Sequence, residues 1–252
     1  MIRSLLCLVL AVSCCSLLPA DERWANNLDW GHITASDDAI YFHVTSIPNN
    51  RTLRIPRLYN SYQELYLQSD STKKPLAFKP EIDHWLITLP KGVGDSAIVV
   101  MKTVGKPRPV KDNVAITPAA DGSVTLPACL ATVHGEKLRF EPQPHKNTIG
   151  YWAVVEDWCE WTVDVPATGS YEVSLWQGCG TGKGGSEVEV RAGESQLSFI
   201  VEDTGHFQNF KERNLGKINL KAGKQSFQIR PKVKAKNAVM DVRLVVLRKS
   251  ES

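Results

Sequence analysis

Residues 159–176 read CEWTVDVPATGSYEVSLW, two runs of alternating apolar and polar residues joined by a short turn. Trp161, Val163 and Val165 fall on one face of the first run, because successive side chains of a strand point to opposite sides. The sequence ATGSY between the runs is typical of a turn. This stretch therefore predicts two neighbouring antiparallel strands, with Trp161 in the core between sheets.

The same alternation of apolar and polar residues continues on both sides of this stretch, over residues 121–249. About nine short alternating runs are separated by Gly, Pro, Asn and Asp, and long helical periodicity is missing. Such a series is typical of an antiparallel sandwich or jelly roll. The runs are SVTLPACLA, KLRFEP, CEWTVDVP, SYEVSLW, SEVEVRA, QLSFIVED, LGKINLKA, QSFQIRPKV and AVMDVRLVVL.

A second block of strands precedes this one, over residues 24–104. It contains DAIYFHVTSI, TLRIPRL, QELYLQS, HWLITLP and AIVVMKTV, each bounded by turn residues. Between the blocks, residues 104–113 (VGKPRPVKDN) carry two Pro, one Gly and three basic residues without an apolar pattern. We expect an all-β chain with two antiparallel β-sandwich or jelly-roll domains, joined by a linker over residues 105–120.

The chain begins with MIRSLLCLVLAVSCCSLLPA, which has the layout of a secretory signal peptide over residues 1–20. Arg3 supplies the positive charge, Leu5–Val12 the apolar segment and Ala20 a small residue at the cut. A lipoprotein signal ending at Cys14 is the alternative. The chain is therefore expected to be secreted or periplasmic, without a membrane span.

The charge balance and the cysteine and histidine residues indicate which partners, disulfides and metal ions to expect. The chain has 30 Lys and Arg against 27 Asp and Glu, and this near balance argues against nucleic acid as the main partner. Export permits a disulfide, for which we expect Cys159 and Cys179, on successive strands, to pair, leaving Cys129. No cofactor is expected and the six His lack the spacing of a zinc site, although a structural calcium ion is conceivable.

Residues 150–161, GYWAVVEDWCEW, place carboxylates beside aromatic residues, as a glycosidase site would. Glu156 and Asp157 precede a strand on which Glu160 and Asp164 share the polar face. Hydrolysis would need a raised pKa on one carboxyl group and a fixed separation between two, and nothing in the sequence supplies either. A half-buried strand with its leading loop is the favoured interpretation, and no catalytic residue is assigned.

A row of basic residues, Arg230, Lys232, Lys234 and Lys236, alternates along an extended stretch and is expected to project from one face. A charged strand that blocks sheet-to-sheet aggregation is the favoured interpretation. Contact with an anionic, sulfated polysaccharide is the alternative.

Residues 121–249 resemble family 6-type carbohydrate-binding modules, which have a galactose-binding-like fold. The resemblance rests on NTIGYWAVVEDWCEWTVDVPATGSYEVSL, VEDTGHFQNF, GKINLKAGKQSFQIRP and AVMDVRLVVL, taken in that order. It implies that a sugar stacks between an aromatic residue of the first loop, Tyr151 or Trp152, and Phe207 of the Thr-Gly loop. Asn209 and Phe210 adjoin that site.

The resemblance also implies an Asn two residues before the Asp of the last strand, where it holds sugar hydroxyls. In this chain Asp241 puts Val239 at that position, which is a departure from the family. Asn209 and Asn237 are the candidates to replace the missing amide.

Residues 24–104 resemble the C-terminal β-sandwich domain of α-L-fucosidases. The likeness rests on LDWGHITASDDAIYFHVTSIPNNRTLRIPRL and HWLITLPKGVGDSAIVVMKTVGKP. Fucosidases catalyse hydrolysis on a (β/α)₈ barrel, which needs at least about 200 residues of alternating strand and helix. The sequence has no such pattern, so the resemblance implies an accessory domain without the catalytic barrel.

These observations predict an exported, non-catalytic protein that binds a poly- or oligosaccharide as an accessory to polysaccharide degradation. Two other classes remain open. The chain is a structural or adaptor protein if the sugar cleft is degenerate, or a glycoside hydrolase if the carboxylates act together.

Overall fold

The computed structural model describes residues 28–110 and 114–250. The expected signal peptide at residues 1–20 and its lipoprotein alternative lie outside the described residues. Within them, strands form nearly all of the regular structure, and one turn of 3₁₀ helix lies at Ala128–Leu130. The predicted all-β class is confirmed.

The part of the chain before residue 104 forms two antiparallel sheets. One has the strand order β1-β2-β7-β4 and the other β3-β6-β5. Their facing sides bury apolar side chains such as Phe42, Trp85 and Ile87. The strands are β1 (Gly31–Ala35), β2 (Ala39–Val44), β3 (Thr52–Pro56), β4 (Tyr62–Leu67), β5 (Ala77–Pro80), β6 (His84–Thr88) and β7 (Ile98–Thr103).

The part after residue 114 forms two larger sheets. In the first, the order is β10-β13-β18-β15-β16, with β8 beside β13; in the second it is β11-β12-β19-β14-β17, with β9 beside β19. The strands are β8 (Ala115–Ile116), β9 (Val124–Pro127), β10 (Thr132–His134), β11 (Arg139–Glu141), β12 (Thr148–Gly150), β13 (Trp158–Val165), β14 (Gly169–Cys179), β15 (Glu187–Ala192), β16 (Ser195–Ile200), β17 (His206–Leu220), β18 (Gly223–Val233) and β19 (Asp241–Lys249).

In the stretch 159–176 both predicted strands form and Trp161 lies in the core, but β13 and β14 belong to different sheets and do not pair with each other as expected. Trp161 is 1% exposed in β13 and lies opposite Phe227 of β18, so both rings fill the core between the two sheets. The Trp161 indole N–H donates to the Pro127 carbonyl at 2.8 Å, which satisfies its polar atom. At the β13–β14 corner, the Tyr171 hydroxyl donates to the Ala167 carbonyl at 2.6 Å. Burial and hydrogen bonding together therefore fix the turn.

The two parts of the chain pack against each other through apolar side chains that belong to one contiguous core. The Tyr62 N–H donates to the Pro142 carbonyl at 3.3 Å across the contact. Part of the stretch predicted as linker is a strand, because β8 pairs parallel with β13, Ala115 opposite Thr162. Among the described residues, no helix is long and apolar enough to cross a bilayer.

Candidate functional site

Two buried carboxyl groups meet over a glycine on the outer face of the second large sheet. Gly150, the last residue of β12, has no side chain, and a Cβ there would lie 2.9 Å from both Asp241 Oδ1 and Glu141 Oε2. Glu141 belongs to β11 and Asp241 to β19, the two strands that flank β12. Any larger residue at position 150 would therefore displace one of the carboxyl groups.

The two carboxyl groups have different partners. Glu141 is 7% exposed and accepts a hydrogen bond from Lys146 Nζ at 3.0 Å. Asp241 is 4% exposed, and its pKa lies well above the usual range because of burial first and the nearby Glu141 charge second. Lys146 and a hydrogen bond with Gln208 act in the opposite direction on that pKa. The protonated form of Asp241 is therefore favoured relative to that of an exposed aspartate.

A second glycine lies on the other side of Asp241. Gly178 of β14 is opposite Asp241, so both point to the same face of the sheet. A Cβ on Gly178 would collide with the Phe207 carbonyl and approach Phe210 Cε1 to 3.3 Å. Gly150, Asp241 and Gly178 thus lie side by side on one face of the sheet, and the stretch of surface above them is here called the trough.

Tyr151 forms one wall of the trough. Its side chain is 53% exposed, and its backbone has φ of +60°. A bulky residue is rarely found in this left-handed region, because Cβ then crowds the following carbonyl oxygen. The Arg139 guanidinium lies 4.0 Å from the ring centroid and covers one face of the ring. The fold therefore holds an exposed tyrosine ring in place at a cost in backbone strain.

Phe207 and Phe210 form the opposite wall, where β17 begins. Both are half-buried, and the Arg243 guanidinium lies 3.8 Å from the Phe210 ring centroid. Adjacent strands lie about 4.8 Å apart, so three strand spacings place the backbones of β12 and β17 roughly 14 Å apart.

Trp152, expected from the sequence as an alternative sugar platform, is buried. It is 1% exposed, and its indole N–H donates to the Asp157 carbonyl at 2.9 Å. Its own carbonyl accepts the Val239 N–H at 2.9 Å. Trp152 is thus a core residue beneath the loop, and of the two neighbouring aromatic residues only Tyr151 presents a ring to solvent.

The amides named from the sequence lie at the surface. Asn209 is exposed and its side-chain N–H donates to the Thr204 carbonyl, within the loop before β17. Asn237 is also exposed, and Val239, at the position of the expected family Asn, is fully buried. Of these two amides, Asn209 is therefore the nearer to Phe207 along the chain, whereas position 239 offers no side chain to a ligand.

The carboxylates of residues 150–161 have separate surroundings. Asp157 is fully buried and accepts three backbone N–H groups, from Glu136 at 2.7 Å, Lys137 at 2.9 Å and Leu138 at 2.8 Å. Glu156 is exposed. Asp157 therefore anchors the turn that leads into β11, and its oxygens are engaged in that turn.

The expected disulfide is absent. Cys129, Cys159 and Cys179 are all free thiols. Cys159 lies on β13 of one large sheet and Cys179 at the end of β14 in the other, so strands successive in sequence belong to different sheets. Burial raises the pKa of the Cys179 thiol to about 11 and that of Cys159 further. Neither thiol is a ready nucleophile.

The basic row does not form one free face. Arg230 lies 3.3 Å from the Trp158 ring centroid, and Lys232 forms an ion pair with Glu187 at 2.9 Å. Lys234 donates to the Ala153 carbonyl, which ties it to the loop of Tyr151. Lys236 is exposed beyond the end of β18. Three of the four cations thus have partners within the chain, so the row is less suited to an anionic glycan than its spacing indicates.

Trp158 stands on the outer face of the first large sheet. His134 stacks on it at 3.9 Å between ring centroids with an interplanar angle of 14°, and Arg230 lies at the same ring. The contacts of its ring are therefore with protein groups. Across the residues that the structure describes, no group of three or more His, Cys, Asp or Glu is placed to hold a metal, so the calcium ion considered from the sequence is given no position.

Sequence reasoning missed much of the trough. Among the residues of the floor and the charged residues beside it, sequence reasoning named only Asp241, which served to locate position 239 in the family resemblance. The residues it did not identify are Arg139, Glu141, Lys146, Gly150, Gly178, Gln208 and Arg243. Their separation along the chain hides them, since only the pairing of β11, β12, β19 and β14 brings them together.

No family model and no curated protein matches the chain. The comparison with solved structures returns both kinds of protein that the sequence resembles. An α-L-fucosidase from Vibrio sp. strain EJY3 aligns at 13% identity and a TM-score of 0.36, covering 86% of this chain and 39% of the fucosidase. This chain therefore spans about two fifths of the length of that enzyme.

Two solved carbohydrate-binding modules align with about half of the chain. A family 35 module from Clostridium thermocellum has 18% identity and a TM-score of 0.42, over 51% of this chain and 98% of the module. A module of lichenase 5A from Cellvibrio mixtus, in complex with cellotriose, has 18% identity and a TM-score of 0.42, over 50% of this chain and 97% of the module.

Proposed function

We propose that this chain binds glycans, and that the trough between Tyr151 and Phe207 holds the sugar. The observation that carries this proposal is the strained, exposed Tyr151. Backbone strain of this kind costs about 1–3 kcal/mol and persists where surrounding structure enforces it, typically at ligand-contacting positions. Here the strain presents an aromatic ring, 53% exposed, beside a polar floor.

The chemistry of the trough suits a neutral sugar. Pyranose rings have an apolar C–H face that packs on a flat aromatic ring, and Tyr151 offers one face because Arg139 covers the other. Gln208 and Asn209, near the opposite wall, supply amide donors and acceptors for hydroxyl groups. An apolar platform with a few fixed polar groups is the usual composition of a small-ligand site.

We propose binding without hydrolysis. Asp157 accepts three backbone N–H groups and holds a turn, which leaves it unsuited to proton transfer. Glu141 and Asp241 are close and one has a raised pKa, as in a hydrolase pair. Both are, however, almost fully buried beneath the trough, and Glu141 is held by Lys146. Their arrangement supports a structural floor for the site.

A second candidate is an adaptor that has lost the family's sugar contact. The observation in its favour is Val239, which is fully buried where the resemblance implies a sugar-binding Asn. In either case the domain division at residues 105–120, export from the cell and a role accessory to polysaccharide degradation are part of the proposal.

The test is binding of the purified chain to an array of neutral, fucosylated and sulfated glycans at low and high salt. We expect salt-resistant binding to neutral or fucosylated glycans. The Tyr151→Ala variant should then bind at least tenfold more weakly, a change of about 1.4 kcal/mol, whereas Tyr151→Phe should retain most of the affinity because it keeps the ring.

The other outcomes contradict the proposal in different ways. Binding confined to sulfated glycans, lost at high salt and in a Lys232→Ala/Lys236→Ala variant, would place the site on the basic row. No binding by the folded chain would favour the adaptor. Release of a reducing sugar that stops in Asp241→Asn would show a hydrolase.

A further inference from the structure

A cavity of about 350 Å³ lies where the two parts of the chain meet. Pro56, Arg57 and Asp83 contribute to its wall from the first part, and Leu130, Thr132 and Thr162 from the second. It is separate from the trough, which is built on β11, β12, β19, β14 and β17. Its volume is at the lower end of the range for small-ligand sites and fits a molecule of about one sugar ring.

Arg57 is the unusual residue of this wall. It is 8% exposed, and its guanidinium donates two long hydrogen bonds, to the Ile82 carbonyl at 3.3 Å and the Ala131 carbonyl at 3.5 Å. Its Nε is buried and has no hydrogen-bond partner. The guanidinium carbon also lies 5.8 Å from the centroid of the Phe140 ring. These contacts orient the side chain, but the guanidinium keeps N–H groups that donate no hydrogen bond.

The charge of Arg57 is not balanced by an ion pair with any residue that the structure describes. Asp83, the acidic residue in the described part of the wall, is 70% exposed at its side chain and pairs instead with Arg54 and His84. Burial lowers the pKa of Arg57, but a guanidinium stays protonated in proteins. Arginine is rarely buried without a paired anion, because its desolvation is otherwise uncompensated.

The rest of the wall suits a small polar ligand with an apolar side. Val114, Leu130 and Val133 give apolar surface, while Thr132 and Thr162 carry hydroxyl groups that donate or accept. A planar guanidinium fork matches a carboxylate or sulfate group better than it matches a neutral hydroxyl. The missing partner of Arg57 is therefore best supplied by an oxyanion.

We propose that this junction cavity binds a small ligand that carries a carboxylate or sulfate group, with Arg57 as the counter-charge. The ligand would contact both parts of the chain, since Arg57 lies in one and Thr132 and Thr162 in the other. This site does not depend on the proposed glycan site in the trough.

The test uses the full chain and follows the arginine Nε–H signals by ¹⁵N NMR during titration with sodium sulfate or sodium acetate. Sodium chloride at matched ionic strength is the reference. We expect a saturable shift of the Arg57 signal, identified by its loss in Arg57→Lys, and a rise in Tm with sulfate or acetate that is larger in the wild type than in Val114→Trp. Glucose 6-sulfate should bind at least tenfold more tightly than glucose.

Two variants separate the cavity from other sites. Arg57→Lys keeps the charge and loses the planar fork, so binding should weaken at least tenfold. Val114→Trp should block the cavity from its rim, where Val114 is 37% exposed, without touching the core. If Arg57→Lys does not fold, Val114→Trp alone decides the matter. Tyr151→Ala should leave anion binding unchanged, even if it abolishes glycan binding.

Equal effects of sulfate, acetate and chloride would overturn the proposal. So would sulfate binding that persists in folded Arg57→Lys or Val114→Trp protein. Loss of anion binding in Tyr151→Ala would move the anion to the trough and would also overturn it.

Discussion

Two arginine–aromatic contacts lie on opposite faces of β11. Arg139 points outward and covers the exposed ring of Tyr151 at 4.0 Å. The next residue, Phe140, points inward and lies 5.8 Å from the guanidinium of Arg57. One contact lies at the edge of the trough, and the other lies beside the cavity at the junction of the two parts of the chain.

The charges around the two arginines differ. Arg139 lies 4.0 Å from the carboxylate of Glu141, which also accepts a hydrogen bond from Lys146 at 3.0 Å. The positive charge of Arg139 therefore has an acidic partner. Arg57 has carbonyl acceptors and a ring but no ion pair within the described chain. We propose that the same residue type supports an uncharged sugar site on one face and an anion site on the other.

The largest expected effect is on stability and comes from substituting Asp157, which supports both faces of β11. Asp157 holds the turn that enters β11 through three backbone hydrogen bonds. Asp157→Ala leaves these N–H groups without an acceptor and should lower the free energy of unfolding by about 3 kcal/mol or more. In a chain of this size Tm should fall by roughly 6–12 °C, measured by calorimetry.

Asp157→Asn is the matched control, since its amide keeps one acceptor oxygen and should lose less stability. Both proposed sites should weaken in Asp157→Ala at temperatures where the variant is folded. Unchanged Tm in Asp157→Ala would show that the turn is held by other contacts.

The next effect concerns the trough alone and depends on pH. Because the pKa of Asp241 is raised, the folded protein holds a proton that the unfolded chain releases above its ordinary pKa of 3.8. The contribution of this proton to stability is present below pH 3.8 and is lost as pH rises through the folded pKa. At neutral pH, Asp241→Asn should therefore be more stable than the wild type, by about 1–2 kcal/mol.

Thermal unfolding of both proteins across the pH range checks this sign. The Tm difference between Asp241→Asn and the wild type should grow as pH rises and then become constant. Glu194→Gln, a substitution of a carboxylate whose side chain is 93% exposed and lies away from the trough, is the control for a change in net charge. A difference that shrinks with rising pH would mean that Asp241 is stabilised as a carboxylate.

A smaller effect separates the backbone strain of Tyr151 from the function of its ring. Glycine adopts a φ of +60° without strain, whereas alanine does not. Tyr151→Gly should therefore be more stable than Tyr151→Ala by about 1 kcal/mol, or roughly 2–4 °C in Tm. Both variants lack the ring and should lose glycan binding equally. Binding retained in either one would remove Tyr151 from the site.

The smallest effect is expected from the thiols, which lie outside both sites. Addition of dithiothreitol should change Tm by less than about 1 °C, because no disulfide links the sheets. Alkylation in denaturant without reductant, followed by peptide mass spectrometry, should label Cys159 and Cys179. In the folded protein labelling should be slow, since burial raises the pKa of Cys179 to about 11. A cross-linked pair of peptides would contradict this.

The strands could be predicted from the sequence because their signal is local. Alternation in β13 correctly gave the buried side of Trp161, Val163 and Val165. The same local rule could not show that β13 and β14 enter different sheets, which is why Cys159 and Cys179 were wrongly expected to pair. It also could not show which of Tyr151 and Trp152 is exposed, because residues in a loop have no periodicity. The burial of Trp152 depends on a distant segment, since its carbonyl accepts the N–H of Val239.

The sites themselves depend on pairing between distant strands. About 100 residues separate Glu141 from Asp241, and Gly150 brings them together only through β12. Arg57 was not singled out because a lone arginine after a strand is usually solvated. Its burial arises from the packing of the two parts of the chain, which no local pattern encodes.

The loop that carries Tyr151 is fastened at two points by the segment before β19. The Lys234 ammonium donates to the Ala153 carbonyl, and the Val239 N–H donates to the Trp152 carbonyl. A loop held in this way has little conformational freedom left to lose when a ligand arrives. Association with a sugar should then proceed in a single kinetic phase whose rate rises linearly with sugar concentration, and differences in affinity among sugars should arise from their dissociation rates.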